Sequence, residues 1–183
     1  MKYHKIVKLK NNKDCLIRNA EEIDAKSVLD MYISCLGQTD FLSIYPNELD
    51  LTVKDEANYI KNRKESYNEA FLIAVLDGEI VGSSALSKIG DHLKTQHVAG
   101  IGITIDNNYW GLGIGSALFG NCIECAKIAG YEQLELGVVA DNEKAIALYK
   151  KFGFVEYGRN PRACKSQLTH NYQEVIYMRL ELN

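Results

Sequence analysis

Three glycines at alternate positions, Gly111, Gly113 and Gly115, join two stretches of opposite hydrophobic period. Ahead of them lies Ile101 to Ile105, a β-branched run suited to a strand; behind them Ser116 to Ala129 repeats apolar residues at helical spacing. A strand that passes into a helix through glycines limits a fold strongly. Glycine reaches backbone conformations closed to other residues and lets a ligand approach the main chain. The first N–H groups of the helix have no partner within it, and the helix dipole adds partial positive charge there. Such a junction is an anion cradle, read here as a seat for a pyrophosphate.

Spacing narrows the molecule that carries it. A P-loop needs Lys followed by Ser or Thr after its last glycine, and Gly115 is followed by Ser116-Ala117. A dinucleotide fingerprint wants G-x-G-x-x-G after the first strand of a repeating βαβ fold, with an acidic residue further on. Glu135 stands at a suitable distance, but this loop lies past the middle of the chain and follows a hairpin turned at Asp77-Gly78.

A third reading explains more residues together. The loop reads Trp110-Gly111-Leu112-Gly113-Ile114-Gly115, and further on come Asn142, Ala145, Leu148-Tyr149 and Gly153-Phe154. These two separated motifs, joined by a helix and a strand, resemble the acetyl-CoA-binding core of the GNAT superfamily of N-acetyltransferases. That family's loop runs Arg/Gln-x-x-Gly-x-Gly/Ala, and the Val175-Ile176-Tyr177-Met178 ending is similar to that of many small bacterial members. The resemblance implies acetyl-CoA as co-substrate and no metal. It implies that main-chain N–H groups from Leu112 to Ala117 hold the pyrophosphate. The implied cofactor contacts are Ile103, Thr104, Ile105, Trp110, Gly111, Leu112, Gly113, Ile114, Gly115, Ser116, Asn142, Ala145 and Tyr149. The Arg or Gln of the family is Trp110 here, so no side-chain charge comes from that position.

The same resemblance implies a strand from Gly100 to Ile105 that carries a β-bulge at Gly100 or Gly102 and splays from the strand at Gln133 to Val139. An N–H near Ile101 to Ile103 would polarise the acetyl carbonyl. Asn142 would bond the pantetheine, with a plain helix N-cap as the rival role, and Tyr149 would act as general acid on the departing thiolate. The general base is open. Many relatives carry Glu where Gly100 stands. His97 is the catalytic candidate here, Asp40 and Tyr172 are others, and a water relay is the alternative. Asp40, Glu48, Asp50, Asp55 and Glu56 fall in the region that sets acceptor specificity; they would suit a cationic amine of a small molecule or peptide, unless they are simply solvated helix and loop charges.

The rest of the chain fits an α/β fold, a mixed sheet (α+β) in the order β-α-α-β-β-β-α-β-α-β-β. Residues 1–13 read as a lead-in strand or loose segment, Asp14 to Asn19 as a strand, and Ala20 to Leu36 as a helix with Ile23, Val28, Met31, Tyr32 and Leu36 on one side. Thr52 caps a second helix over Val53 to Ser66. Strands are expected at Glu69 to Leu76, Glu79 to Ser87, Val155 to Lys165 and Glu174 to Leu182. At 183 residues one domain is expected, large enough to bury a core without metal or disulfides. A net charge of -3 and no long Lys/Arg run speak against nucleic acid as a partner. Five cysteines, an odd count with no apolar leader, suit a reducing cytoplasm; Cys122 and Cys125 read as thiols packed in a helix. No apolar run approaches the ~20 residues of a membrane span. A monomer or a homodimer through the last strands fits equally. A non-catalytic acyl-CoA-binding module is the rival function, and a dinucleotide-dependent oxidoreductase a more distant one.

Overall fold

The structure is a computed structural model that describes residues 3–182. Its elements are β1 (His4–Lys8), β2 (Asp14–Asn19), α1 (Ala25–Gln38), α2 (Val53–Glu65), β3 (Ala70–Leu76), β4 (Glu79–Lys88), β5 (Val98–Ile105), α3 (Ile114–Ile128), β6 (Gln133–Val139), α4 (Glu143–Lys151), β7 (Val155–Lys165) and β8 (Tyr172–Glu181). Eight strands form one sheet in the order β1-β2-β3-β4-β5-β6-β8-β7. The lead-in therefore is a strand from His4 on; residues 1 and 2 lie outside the described chain.

Local chemistry sets most boundaries. Asp77 and Gly78 both take positive φ, 52° and 88°, the geometry of a two-residue hairpin turn whose twist matches its strands. Thr52 Oγ1 accepts from the Asp55 N–H, and the Asp55 carboxylate accepts from the Thr52 N–H, which starts α2 with a capping box. Gly153, at φ 90°, closes α4. The first long helix starts later than its apolar pattern suggests. Glu22–Asp24 forms a 3₁₀ turn, pinned by a two-pronged Arg18–Asp24 pair at 2.6 and 2.8 Å. Ile23 consequently points out of the core at 86% exposure, correcting its expected place on the helix's apolar side.

The helices cover both faces of the sheet. On one face, Leu118, Phe119, Cys122, Cys125 and Ala126 of α3 join Leu86, Leu134 and Met178 in the main core. Cys122 and Cys125 are both fully buried there, and burial pushes their thiols up to about 12 and about 11. On the other face, Ala25 and Val28 of α1 and Ile60 of α2 pack around Ile73.

All strand pairs run antiparallel except β5–β6, which are parallel and share only three partners, Val98↔Gln133, Ala99↔Leu134 and Gly100↔Glu135. Beyond Gly100 the two strands separate, while β6 stays paired with β8 along its whole length. This fork was expected; the bulge was misplaced. The β4–β5 register runs without a shift from Gly82↔Ile105 to Lys88↔Ala99; irregularities lie instead between Ala74 and Val75 in the β3–β4 pair and, in the β7–β8 pair, between Glu156 and Gly158 and between Asn160 and Cys164. Gly82, next to the β3–β4 irregularity, explains the tight packing: a Cβ there would lie 2.9 Å from the Thr104 carbonyl and 3.3 Å from Leu118.

Candidate active site

The glycine loop sits at the mouth of the fork. Gly111 and Gly113 adopt φ of 81° and 97°, and Gly113 is the N-cap of α3. This turn aims the main chain so that the N–H groups from Gly111 to Ser116 meet no protein acceptor among the described residues, while the Ala117 N–H donates to Gly113. Gly115 has ordinary backbone angles and serves packing: a Cβ there would meet Ile105 at 3.2 Å and Leu148 at 3.5 Å. Trp110 is 39% exposed; its indole Nε1–H donates to the Ile105 carbonyl at 2.9 Å, and the Lys144 ammonium lies 4.5 Å over its ring.

From this loop a cavity of about 1110 Å³ follows the fork into the space lined by α1 and α2. One half is lined by Gly102 to Ile105, by Trp110, Gly111 and Gly113 to Ser116, and by Asn142, Ala145 and Tyr149. Since β5 has no partner on its β6 edge beyond Gly100, alternate N–H groups of Ile101 to Ile105 face the open fork. Asn142 is the N-cap of α4, its side-chain oxygen accepting from the Ala145 N–H at 3.2 Å, and its amide nitrogen has no partner among the described residues. Tyr149, two helical turns on and 7% exposed, packs its ring 5.0 Å from Phe119. Burial raises its phenol to about 12, so it is a protonated donor at neutral pH, and its hydroxyl makes no hydrogen bond among the described residues.

The other half of the cavity is walled by Val28, Tyr32 and Cys35 of α1, Asp55, Glu56 and Tyr59 of α2, Phe71, and Ser83 and Ala85 of β4. A Cβ on Gly102 would meet nothing within 4 Å, so its floor is open. Glu56 is half-buried, and its carboxylate has neither an ion pair nor a hydrogen bond among the described residues. Burial holds it above the usual carboxylate range, with Arg63 acting in the opposite sense. Arg63 itself is engaged elsewhere: it lies 3.6 Å over the Tyr59 ring and donates to Ser87 Oγ at 2.9 Å.

The proposed bases are scattered. His97 is exposed on the closed side of the fork, and its carbonyl accepts from the Glu132 and Gln133 N–H groups; it does not line the cavity. Tyr172 is exposed beside Arg162 and Lys165. Asp40 accepts from the Tyr45 hydroxyl at 2.7 Å and from Gln173, and the Gln167 N–H donates to the same hydroxyl, so this carboxylate ties the α1–α2 loop to the last hairpin. Of the five acidic residues, Glu48 caps a 3₁₀ turn and Asp55 caps α2, while Asp55 and Glu56 line the cavity. Glycine and motif spacing located the loop and α4; nothing local in sequence marked Glu56, Tyr32 or Tyr59 as neighbours, because α1 and α2 meet only in the fold.

A forked sheet with an anion cradle at its mouth and a buried phenol beside the fork defines an acyltransferase. Residues 36–154 match the acetyltransferase (GNAT) family, and the chain belongs to that family. It is 28% identical over 142 residues to the L-amino acid N-acetyltransferase AaaT of Escherichia coli, covering 77% of this chain and 83% of that protein. It is 31% identical over 157 residues to an N-alpha-acetyltransferase of Sulfurisphaera tokodaii, covering 80% and 84% respectively. A GNAT acetyltransferase structure from Streptococcus pneumoniae superposes with TM-score 0.87 at 29% identity over 92% of this chain and 99% of that one. The Salmonella typhimurium yncA structure, solved with acetyl-CoA, shares the fold at TM-score 0.82 and 16% identity, covering 92% and 94%.

Proposed function

We propose that this protein transfers the acetyl group of acetyl-CoA to a primary amine of a small molecule or peptide by direct attack. One observation carries the reading: the loop's unpartnered N–H groups, the open edge of β5 and the Tyr149 hydroxyl all border one continuous cavity. The residues fit the co-substrate. Gly111 to Ser116 offer donors to a pyrophosphate, the β5 edge offers amide groups to a pantetheine arm, and Asn142 retains a free amide nitrogen beside it. In the reaction the neutral amine nitrogen bonds to the thioester carbonyl carbon, and a β5 N–H stabilises the developing oxyanion. The carbon–sulfur bond then breaks, Tyr149 gives its proton to the departing thiolate, and the proton that the attacking nitrogen sheds on becoming an amide restores the Tyr149 phenol.

The acceptor lobe supports an amine that arrives as a cation. Its walls bring Tyr32 and Phe71 together with the unpaired Glu56 carboxylate and the capping Asp55, a combination of aromatic rings and negative charge suited to an ammonium. Glu56 would take the ammonium's proton, filling the role left vacant by Gly100. That two relatives are named for N-acetylation agrees with an amine acceptor.

The test is a melting-temperature comparison with acetyl-CoA, CoA, NAD(H) and ATP, followed by thiol release from acetyl-CoA across a panel of polyamines, amino acids and peptides. A ligand at about 100 times its Kd adds roughly 2.7 kcal/mol of stability. Stabilisation by acetyl-CoA and CoA, with amine-dependent thiol release, is expected. Stabilisation without thiol release for any amine would favour the acyl-CoA-binding module, and stabilisation by NAD(H) would overturn the reading.

A further inference from the structure

We propose that Lys10, on the turn between β1 and β2, supplies the phosphate-binding cation that the glycine loop lacks at Trp110. The inference rests on the acetyl-CoA reading above and concerns the phosphates of its nucleotide end.

The β1–β2 turn is built onto the loop. Leu9 is 5% exposed and belongs to the main core; the Leu9 N–H donates to Lys13 at 2.9 Å, and the Asn12 N–H donates to Leu9 at 3.0 Å. This turn presents the Lys10 N–H to the Leu112 carbonyl at 3.1 Å, a main-chain bond from one turn to the other. The side chain then crosses the loop, with Cγ 3.9 Å from where a Gly113 Cβ would stand, and lines the cavity with Trp110, Gly111 and Ser116.

Its charge is uncommitted. Lys8 pairs with Asp14 at 3.0 Å and Lys13 with Asp77 at 2.6 Å, whereas Lys10 has no carboxylate within salt-bridge distance among the described residues. Around the same loop Lys144 is held over the Trp110 ring, and Lys151 donates to Ser116 Oγ at 3.0 Å. An anionic phosphate seated on the loop's N–H groups would therefore face Lys10 from a different element than α3 or α4. Trp110, whose indole is committed to the Ile105 carbonyl, has no charge to lend.

The experiment is calorimetric titration of acetyl-CoA, CoA and dephospho-CoA into the wild type and into Lys10→Ala, Lys10→Gln and Lys10→Arg. Lys5→Ala, exposed on β1, serves as a control for general charge. Lys10→Ala and Lys10→Gln are expected to raise the Kd of acetyl-CoA about tenfold, and Lys10→Arg to restore most of it. Melting temperature without ligand and kcat at saturating acetyl-CoA should stay near wild type, and the affinity should depend less on salt. An equal loss for dephospho-CoA assigns the contact to the pyrophosphate; a loss seen only with CoA and acetyl-CoA assigns it to the 3′-phosphate. Either result supports the proposal. Unchanged Kd in Lys10→Ala, with the wild type binding acetyl-CoA, overturns it alone. A wild type that gives no heat with acetyl-CoA overturns the cofactor reading as well.

Discussion

Replacing Gly113 by alanine separates the two jobs that glycine does in the loop. Gly113 caps α3 at φ 97°, in the left-handed region, and its surroundings leave room for a methyl group, the nearest atom being Lys10 Cγ at 3.9 Å. The cost is therefore backbone strain rather than collision, roughly 1–2 kcal/mol. For a chain of this size each kcal/mol shifts the midpoint by about 2–4 °C, so Gly113→Ala should melt roughly 2–8 °C below wild type. If the chain relieves the strain by turning φ negative, the loop's N–H groups change direction. Acetyl-CoA should then bind about tenfold or more weakly, the loss of one charge-assisted hydrogen bond. Gly115→Ala is the control. It keeps a relaxed backbone, its methyl meets the flexible ends of Ile105, Leu148 and Ile103, and alanine gains roughly 0.5–1 kcal/mol over glycine inside a helix. It should melt within about 2 °C of wild type. Calorimetric melting and acetyl-CoA titration of both variants check this. A Gly113→Ala protein as stable as wild type, or a Gly115→Ala protein destabilised as much as Gly113→Ala, would refute the assignment of backbone strain to Gly113 alone.

Tyr149→Phe keeps the ring in its pocket and removes the proton donor; kcat should fall about a hundredfold while the acetyl-CoA Kd moves less than about twofold, and unchanged turnover would remove the residue from the reaction. Glu56→Gln should lower kcat/KM by about a hundredfold and flatten the acidic limb of its pH profile. The stability sign runs oppositely: burial raises the Glu56 carboxyl, so its contribution to stability is intact at low pH and lost as pH rises through the folded value. The neutral variant should accordingly melt at or above wild type near pH 8, and a variant with an unaltered acidic limb would show that another group takes the proton. The Arg18 hydrogen bonds hold Asp24 below its ordinary value, so that pair contributes above the usual carboxylate range and loses its effect as pH falls. Arg18→Ala should cost about 1–3 kcal/mol at neutral pH, with the difference from wild type shrinking below about pH 4 in pH-dependent denaturant melts.

Local chemistry made much of this structure legible from the chain alone. The Asp77-Gly78 turn, the Thr52 capping box, the Gly153 helix end and the glycine loop each depend on a few adjacent residues, and each forms where those residues stand. Ile23 misled because a helical period cannot reveal that Arg18, reaching from β2, bonds Asp24 and holds that segment in a 3₁₀ turn. The bulge misled for a related reason. Gly100 and Gly102 looked permissive, but the β3–β4 register irregularity arose beside Gly82, where close contact with Thr104 and Leu118 leaves no room for a side chain. His97 is an imidazole in the wrong place, on the paired side of a fork whose branch point is a tertiary property.

The two departures from the family pattern are Trp110, which lines the cavity, and Gly100, at the last pair of β5 with β6, and both proposals answer them in the same physical way. Trp110 removes a cation at the phosphate end, and Gly100 removes a carboxylate at the acceptor end. An electrostatic site requires charge at a position in space, and Coulomb interaction does not distinguish which strand or helix delivers it. Lys10 borders the glycine loop from the β1–β2 turn, and Glu56 borders the acceptor lobe from α2; both are charged groups without an ion pair among the described residues. The double variant Lys10→Ala/Glu56→Gln tests their independence. If one serves the co-substrate and the other the amine proton, the loss in kcat/KM measured with acetyl-CoA below saturation should equal the product of the single losses. A smaller combined loss would mean that both act on the same step, and the separation of the cavity into a phosphate end and an amine end would fail.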